Sequence, residues 1–128
     1  MNIIIASNRP FLSRDVKNPE ELSILLKSGH TSSIFFPYWS WKVPDDVLNK
    51  HQCIGFHTGD IRGGSPIQNL IRKGVENTHI RMFKMNDTID GGDLIEIAQI
   101  SLIGSLEEIV LRQTKIMGEM IDGYLHSD

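Results

Sequence analysis

The stretch from His51 to Asp93 constrains the fold of this chain more than any other part of the sequence. It opens with QCIGFH, a short apolar run that is typical of a buried strand and ends at His57. A glycine-rich turn then leads into a helix, for which we expect Ser65 as N-cap, Pro66 in the first turn and Gly74 just past the end. A second apolar strand, THIRMFKM, follows. Strand, helix and strand within about 30 residues predict a βαβ unit.

Two residues of this stretch, His57 and Asp90, are candidates for chemistry. Asp90 lies in the turn TIDGGD, whose two glycines disfavour a helix. In open α/β sheets ligands bind beyond the carboxyl ends of the strands, and His57 lies at one such end with Asp90 just past another. We therefore expect both at one rim of the sheet, where the carboxylate would orient the imidazole. Each also has a structural alternative: a histidine that only supports the strand end, and an aspartate that forms an Asx-type turn.

Composition limits the class of protein. A chain of 128 residues has room for one core, so we expect a single domain over residues 1–128. The net charge of -3 argues against a broad nucleic-acid surface. No apolar run approaches the about 20 residues of a membrane span. The single cysteine, Cys53, cannot form an internal disulfide, which indicates a reducing cytoplasm.

The segments on either side of the central stretch predict further strands and helices. The apolar run NIIIA is typical of a buried parallel strand, and a helix is expected from Asn18 to about Gly29. The next strand, SSIFFPYW, is expected to stop at Pro37, before a short acidic helix that begins near Pro44. After the central stretch, DLIEIAQISL alternates as a strand with one polar face.

A capping box at Ser105 is expected to open the longest helix, which runs to about Tyr124. Its apolar stripe consists of Leu106, Ile109, Val110, Ile116, Met117, Met120 and Ile121. These elements predict a small three-layer α/β domain with a Rossmann-like, mostly parallel sheet. One stripe of the last helix is available for a partner subunit, so this helix is the candidate interface of a homodimer.

Other kinds of site have little support in the spacing. The aspartates of NDTIDGGD resemble a calcium loop, but Ile89 occupies a ligand position. The five histidines include no i, i+4 pair and there is one cysteine, so no metal site is expected. Three aromatic residues could stack on a flat heterocycle or belong to the core: Tyr38, Trp39 and Trp41.

The segment FHTGDIRGGSPIQNLIRKGVENTHIRMFKMNDTIDGGDL resembles the catalytic core of the 10-formyltetrahydrofolate-dependent formyltransferases. The family signature is a histidine closing a strand, an R-G-x-x-P-[IL]-Q turn into a helix, and a hydrophobic-Asp-x-Gly-Asp turn. Here these are His57, the run from Arg62 to Gln68, and the run from Ile89 to Asp93. The preceding FFPYWSWKVPDDVL is similar to the family segment that lines the folate site.

The resemblance implies a formyltransferase-type fold and a role for individual residues. His57 would polarise the formyl group and stabilise the tetrahedral oxyanion, and Asp90 would pair with it and help to remove the amine proton. The residues implied in binding 10-formyltetrahydrofolate are Tyr38, Trp39, Trp41, Val43, Asn86, Asp87, Thr88 and Ile89. Those implied in binding the amine substrate are Asn8, Arg9, Arg62, Gly63, Gly64 and Gln68.

Three departures from the family pattern bear on activity. Gly55 stands where the family usually has asparagine, and a missing oxyanion donor costs about 10²–10³ in rate. The turn between His57 and Arg62 is shorter than usual and lacks the customary proline. Only one helix fits between the first two strands, so the N-terminal half of the sheet is reduced.

Within the family, the sequence favours N-formylation of a nucleotide-linked amino sugar. Formylation of methionyl-tRNA is the alternative within the family, disfavoured by the lack of a C-terminal RNA-binding domain and of net positive charge. Purine-type formylation is disfavoured because the first strand is followed by Ala6-Ser7-Asn8-Arg9 and not by a glycine-rich phosphate turn. A catalytically weakened folate- or nucleotide-binding remnant is the rival hypothesis, and Gly55 is its main support.

Overall fold

The computed structural model describes residues 3–9, 11, 16–29, 33–59, 66–86 and 92–126. Strands and helices follow one another in the order β1 (Ile3–Ser7), α1 (Pro19–Leu26), β2 (Ser33–Tyr38), α2 (Asp45–Lys50), β3 (Gln52–Thr58), α3 (Pro66–Arg72), β4 (Asn77–Lys84), β5 (Leu94–Ser101) and α4 (Leu106–Leu125). The expected α/β class is confirmed. A single helix, α1, lies between β1 and β2 in the described part, as expected.

The chain divides into two compact units, one of residues 1–55 with 83–93 and the other of residues 56–82 with 94–128. The prediction of one domain over the whole chain stays a prediction. The core of the first unit is formed by Ile4, Ala6, Val16, Leu22, Ile34, Phe36, Val43 and Cys53. In the second unit, α4 packs against β5, and the buried residues of α4 are Ile109, Gln113, Met117, Met120 and Ile121. No helix among the described residues has the length and apolar character to cross a bilayer.

The strands form one sheet in the order β1-β2-β3-β4-β5. Strands β1 and β2 pair in parallel, as do β2 and β3. Their sequences are nearly continuous apolar runs, and Ile34, Phe35 and Ile54 are fully buried. Such runs are typical of parallel strands that are covered on both faces. This half of the sheet therefore has the parallel arrangement that the sequence predicts.

Strand β4 runs antiparallel to β3, and the predicted βαβ unit is wrong on this point. The amide of Met85 donates to the carbonyl of Cys53, and the amide of Gly59 donates to the carbonyl of His79, both at 2.8 Å. Positions along β4 thus descend as positions along β3 ascend, which defines an antiparallel pair. The carboxyl ends of β3 and β4 therefore point in opposite directions. The expected rim formed by two parallel strand ends is therefore wrong for β3 and β4.

Pro37 does not stop β2, which continues to Tyr38. The register changes at this point, because Ile5 pairs with Phe35 whereas Ser7 pairs with Tyr38. Strand β2 thus contains one more residue than β1 over the same distance, which is a β-bulge. A bulge is one of the few places in a sheet interior where proline, which has no amide hydrogen, is tolerated.

The starts of α1 and α4 agree with the capping signals of the sequence, whereas Ser65, the expected N-cap of α3, lies outside the described residues. Asn18 caps α1 through its side-chain oxygen, which accepts from the amide of Glu21 at 2.9 Å. At α4 the Ser105 hydroxyl accepts from the amide of Glu108, whose carboxylate accepts in turn from the Ser105 amide at 2.8 Å. Hydrogen bonding of the Glu108 carboxylate to the Ser105 backbone amide, and then to the Ser105 side chain, lowers the pKa of the Glu108 carboxyl. The predicted capping box is confirmed.

The predicted apolar stripe of α4 is correct in part. Ile109, Met117, Met120 and Ile121 are buried within the chain itself, whereas Leu106 is 45% exposed. The buried part of the stripe is thus already covered and is not an open surface for a second subunit. The homodimer through this helix stays a prediction, and these contacts give it no support.

Gly59 and Gly74 allow a matched test of packing beside β3. Their φ angles are almost equal, 77° and 78°. A Cβ at Gly59 would lie 2.9 Å from Cδ1 of Leu70, whereas at Gly74 it would meet nothing within 4 Å. Both alanine variants have a backbone penalty of about 1 kcal/mol. We expect Gly59→Ala to lower the free energy of unfolding by about 1–3 kcal/mol more than Gly74→Ala, because only Gly59→Ala overpacks its surroundings. Urea denaturation measures both, and equal losses would contradict the close approach of Leu70.

Candidate active site

The carboxyl ends of β1 and β2 bring together two residues that were predicted to bind the amine substrate, Asn8 and Arg9, and one that was predicted to bind the folate, Tyr38. The amide of Asn8 donates to the carbonyl of Tyr38 at 2.7 Å, and its side-chain Nδ2 donates to the Ser40 hydroxyl at 2.7 Å. The guanidinium carbon of Arg9 lies 5.7 Å from the centroid of the Tyr38 ring, within the range of a cation–π contact. Asn8 and Arg9 are exposed, so this end of the first unit offers an amide and a cation to a ligand.

The aromatic residues after β2 form a chain of edge-to-face contacts. Trp39 lies 5.5 Å from Phe36 and 4.9 Å from Trp41, measured between ring centroids. Trp39 packs against the core of the first unit, whereas Trp41 is 42% exposed. Val43 is buried in that core. Trp41 is therefore the indole most open to a flat ligand, and the Val43 side chain supports the segment from inside.

His57 is the next-to-last residue of β3 and is half-buried. The residue after it, Thr58, is 3% exposed, and its hydroxyl accepts from Nε2 of Gln113 on α4 at 3.1 Å. Successive side chains of a strand point to opposite faces, so His57 points away from the face that carries Thr58. The polar partner on α4 was missed by the sequence analysis, because an amide in the middle of a helix is typical of a surface position.

Several predicted site residues lie outside the described part of the chain: Arg62, Gly63, Gly64, Asp87, Thr88, Ile89 and Asp90. Gln68 on α3 and Asn86 after β4 are described and exposed. Where the turn after β4 ends, the amide of Lys84 donates to the carbonyl of Asp93 at 2.9 Å. The pairing of His57 with Asp90 stays a prediction.

The space beside Gly55 is filled by two side chains of the first unit. A Cβ added at Gly55 would lie 3.0 Å from Cζ of Phe83 and 3.1 Å from both Cγ and Sδ of Met85. Gly55 thus carries no side-chain donor, and a longer side chain there would require Phe83 and Met85 to shift. The sequence analysis did not predict that the side chains of Phe83 and Met85 lie beside Gly55. The signal was the alternation of β4, which puts Phe83 and Met85 on one face.

Two other kinds of chemistry have no support in the described residues. Cys53 is 2% exposed, and its burial raises the pKa of the thiol to about 11. The thiol is therefore neutral near pH 7 and a poor nucleophile. Within the described ranges, no group of three or more histidine, cysteine, aspartate or glutamate side chains is arranged to hold a metal ion.

Known proteins that are similar to this chain were found by sequence and by structure, but not among family models. No family model matches the chain. The methionyl-tRNA formyltransferase of Bacillus thuringiensis (strain Al Hakam) is 35% identical over 74 residues, which cover 50% of this chain and 24% of that protein. The structure of a methionyl-tRNA formyltransferase from Clostridium thermocellum superposes with a TM-score of 0.83 and 34% identity, over 98% of this chain and 64% of that chain.

A glycinamide ribonucleotide transformylase 1 from Geobacillus kaustophilus superposes with a TM-score of 0.63 at 17% identity, over 78% of this chain and 57% of that one. At this identity the likeness concerns the fold alone. The fold is thus that of the formyltransferases. The chain is similar in sequence and fold to the formyltransferases, and the two relatives with more than 30% identity given above are methionyl-tRNA formyltransferases. It spans 24% of the curated relative and 64% of the solved one.

The filled space at Gly55 leads to a prediction about stability. Gly55→Asn should lower the free energy of unfolding by about 1–3 kcal/mol, because the new side chain meets Phe83 and Met85. The same substitution should cost clearly less in a chain that also carries Phe83→Ala, since the ring is then absent. A double-mutant cycle by urea denaturation measures this coupling. Additive effects of the two substitutions would contradict the contact between positions 55 and 83.

Proposed function

We propose that this chain provides the catalytic centre for moving a formyl group from 10-formyltetrahydrofolate to a primary amine, and that the amine is the methionyl group of methionyl-tRNA. The observation that carries the proposal is the match to the Clostridium thermocellum methionyl-tRNA formyltransferase, which extends over 98% of this chain at 34% identity. Because the chain spans 64% of that structure, the activity of the whole relative is an inference for this chain.

The similarity to methionyl-tRNA formyltransferases is a stronger argument than the two against a tRNA substrate, which were the missing RNA-binding domain and the net negative charge. A chain that spans part of its relatives gives no argument from a missing RNA-binding domain. The net charge of -3 describes these 128 residues as a whole and not one surface. An amino sugar linked to a nucleotide is the second candidate. It is favoured by the exposed Arg9 beside the Tyr38 ring, since a cation next to an aromatic face suits a phosphate joined to a flat base.

In the proposed reaction, His57 stabilises a developing negative charge and Asp90 accepts a proton. The amine nitrogen attacks the formyl carbon, and the carbonyl oxygen gains the negative charge that the His57 imidazole stabilises by donating a hydrogen bond. Asp90 accepts the proton that the amine loses. The bond between the formyl carbon and N10 then breaks, and N10 of the leaving tetrahydrofolate takes up a proton. The product is a formamide.

Gly55 sets the expected rate of this reaction. It supplies no side-chain donor, and the space beside it is filled by Phe83 and Met85. The loss of one oxyanion donor costs about 10²–10³ in rate. Turnover should therefore be slow, and a protein that binds folate without turnover is the alternative that this observation favours.

Turnover with 10-formyltetrahydrofolate as donor tests the proposal against its alternatives. The amine acceptors are methionyl-tRNA and a panel of nucleotide-linked amino sugars, and tetrahydrofolate release is measured with each. Formylation of methionyl-tRNA supports the proposal. Formylation of an amino sugar alone assigns the second candidate. Folate binding without transfer to any acceptor identifies the binding protein and contradicts the proposed activity.

Substitution of the two proposed catalytic residues tests their roles. His57→Ala and Asp90→Asn should each lower kcat by about 10²–10⁴, the usual contribution of a positioned acid or base. Folate binding should persist, because neither side chain is proposed to hold the pterin. His126→Ala is the matched control, since that imidazole is 76% exposed near the end of α4 and should leave kcat unchanged. Wild-type kcat in both catalytic variants would remove these residues from the mechanism.

A further inference from the structure

A buried polar pair lies directly behind the proposed catalytic histidine. Thr58 is 3% exposed and Gln113 is 6% exposed, and Nε2 of Gln113 donates to the Thr58 hydroxyl at 3.1 Å. The neighbours of Gln113 on the same buried face of α4 are Ile109 and Met117. A buried amide is tolerated at such a position only if it is hydrogen-bonded, since an unsatisfied polar group is expensive to bury. This bond therefore ties α4 to the last residue of β3.

Two further contacts hold the same end of β3. The amide of Gly59 donates to the carbonyl of His79 on β4 at 2.8 Å. Leu70 on α3 lies close enough to Gly59 that even a methyl group would overlap with it. The backbone on the C-terminal side of His57 is thus held by three elements of the second unit. Among these contacts, the hydrogen bond from Gln113 to Thr58 joins two side chains. Both partners can therefore be replaced without removing a backbone hydrogen bond.

We infer that Gln113 is a positioning residue, which acts through Thr58 to hold the β3 backbone so that the His57 imidazole keeps one orientation. Thr58 and His57 point to opposite faces of the strand. Gln113 therefore acts from the face opposite to the imidazole and needs no contact with either substrate. As far as it concerns the reaction rate, this inference rests on the proposed function.

Isosteric variants separate positioning from plain stabilisation. Thr58→Val and Gln113→Met each remove one partner and leave the other buried without it, so Tm should fall by roughly 3–8 °C. The double variant removes both polar groups, and its Tm should return to within about 2 °C of wild type. Its kcat should nevertheless stay lower by about 10-fold or more, with KM for 10-formyltetrahydrofolate within about twofold of wild type. A purely structural role would restore kcat together with Tm.

Ser33→Ala is the matched control. Ser33 is 3% exposed, and its hydroxyl donates to Oε1 of Gln52, the first residue of β3, at 2.9 Å. This substitution removes a side-chain hydrogen bond at the other end of the same strand. It should lower Tm by less than the single variants, because the exposed Gln52 side chain can bond to water, and it should leave kcat unchanged.

The ring nitrogen signals of His57 in NMR spectra, assigned with His57→Gln, provide a readout that does not depend on turnover. They should move in both single variants and in the double variant, and they should not move in Ser33→Ala. If the wild-type protein transfers no formyl group, the proposed function fails while these signals still decide the positioning role. A double variant with wild-type His57 signals, or with wild-type kcat in an active protein, overturns the inference.

Discussion

Backbone pairing on both sides of β3 is the constraint on which the rest of the structure depends. The strand is parallel to β2 along its first half and antiparallel to β4 along its length. An interior strand must satisfy its amides and carbonyls from both neighbours, so its register is strongly determined. That register puts Gly55 against Phe83 and Met85. It also puts His57 between two residues, Phe56 and Thr58, that belong to the opposite face.

The elements of this fold could largely be predicted from the sequence because their signals are local. The caps at Asn18 and Ser105 satisfy amides within one helical turn, so a few residues define each helix start. The direction of β4 could not be predicted from the strand–helix–strand spacing, which is compatible with either direction. Alternation was the usable signal: Ile80 and Met82 are buried with Arg81 exposed between them, whereas β1 and β2 are almost wholly buried. Such alternation is typical of antiparallel strands with one solvated face.

The candidate site could be predicted only in part, for a similar reason. The family resemblance implied Asn8, Arg9 and Tyr38 as site residues, and the parallel pair β1 and β2 brings these three together. The partners that shape the rest of the site come from distant positions in the chain. Gln113 contacts Thr58 across 55 positions, and no local pattern connects them. Long-range contacts of this kind arise from packing. From the sequence alone, a residue such as Gln113 is therefore assigned to the surface or not considered.

The central claim is that His57 and Asp90 act together on one formyl group. A crystal structure of this chain with bound 5-formyltetrahydrofolate, a stable analogue of the proposed donor, measures their separation directly. The account predicts an imidazole nitrogen and an Asp90 carboxylate oxygen within hydrogen-bond distance, about 2.6–3.2 Å, beside the formyl group. Separation of these groups by more than about 6 Å with the ligand in place, too far for either charge to influence the other strongly, would contradict it.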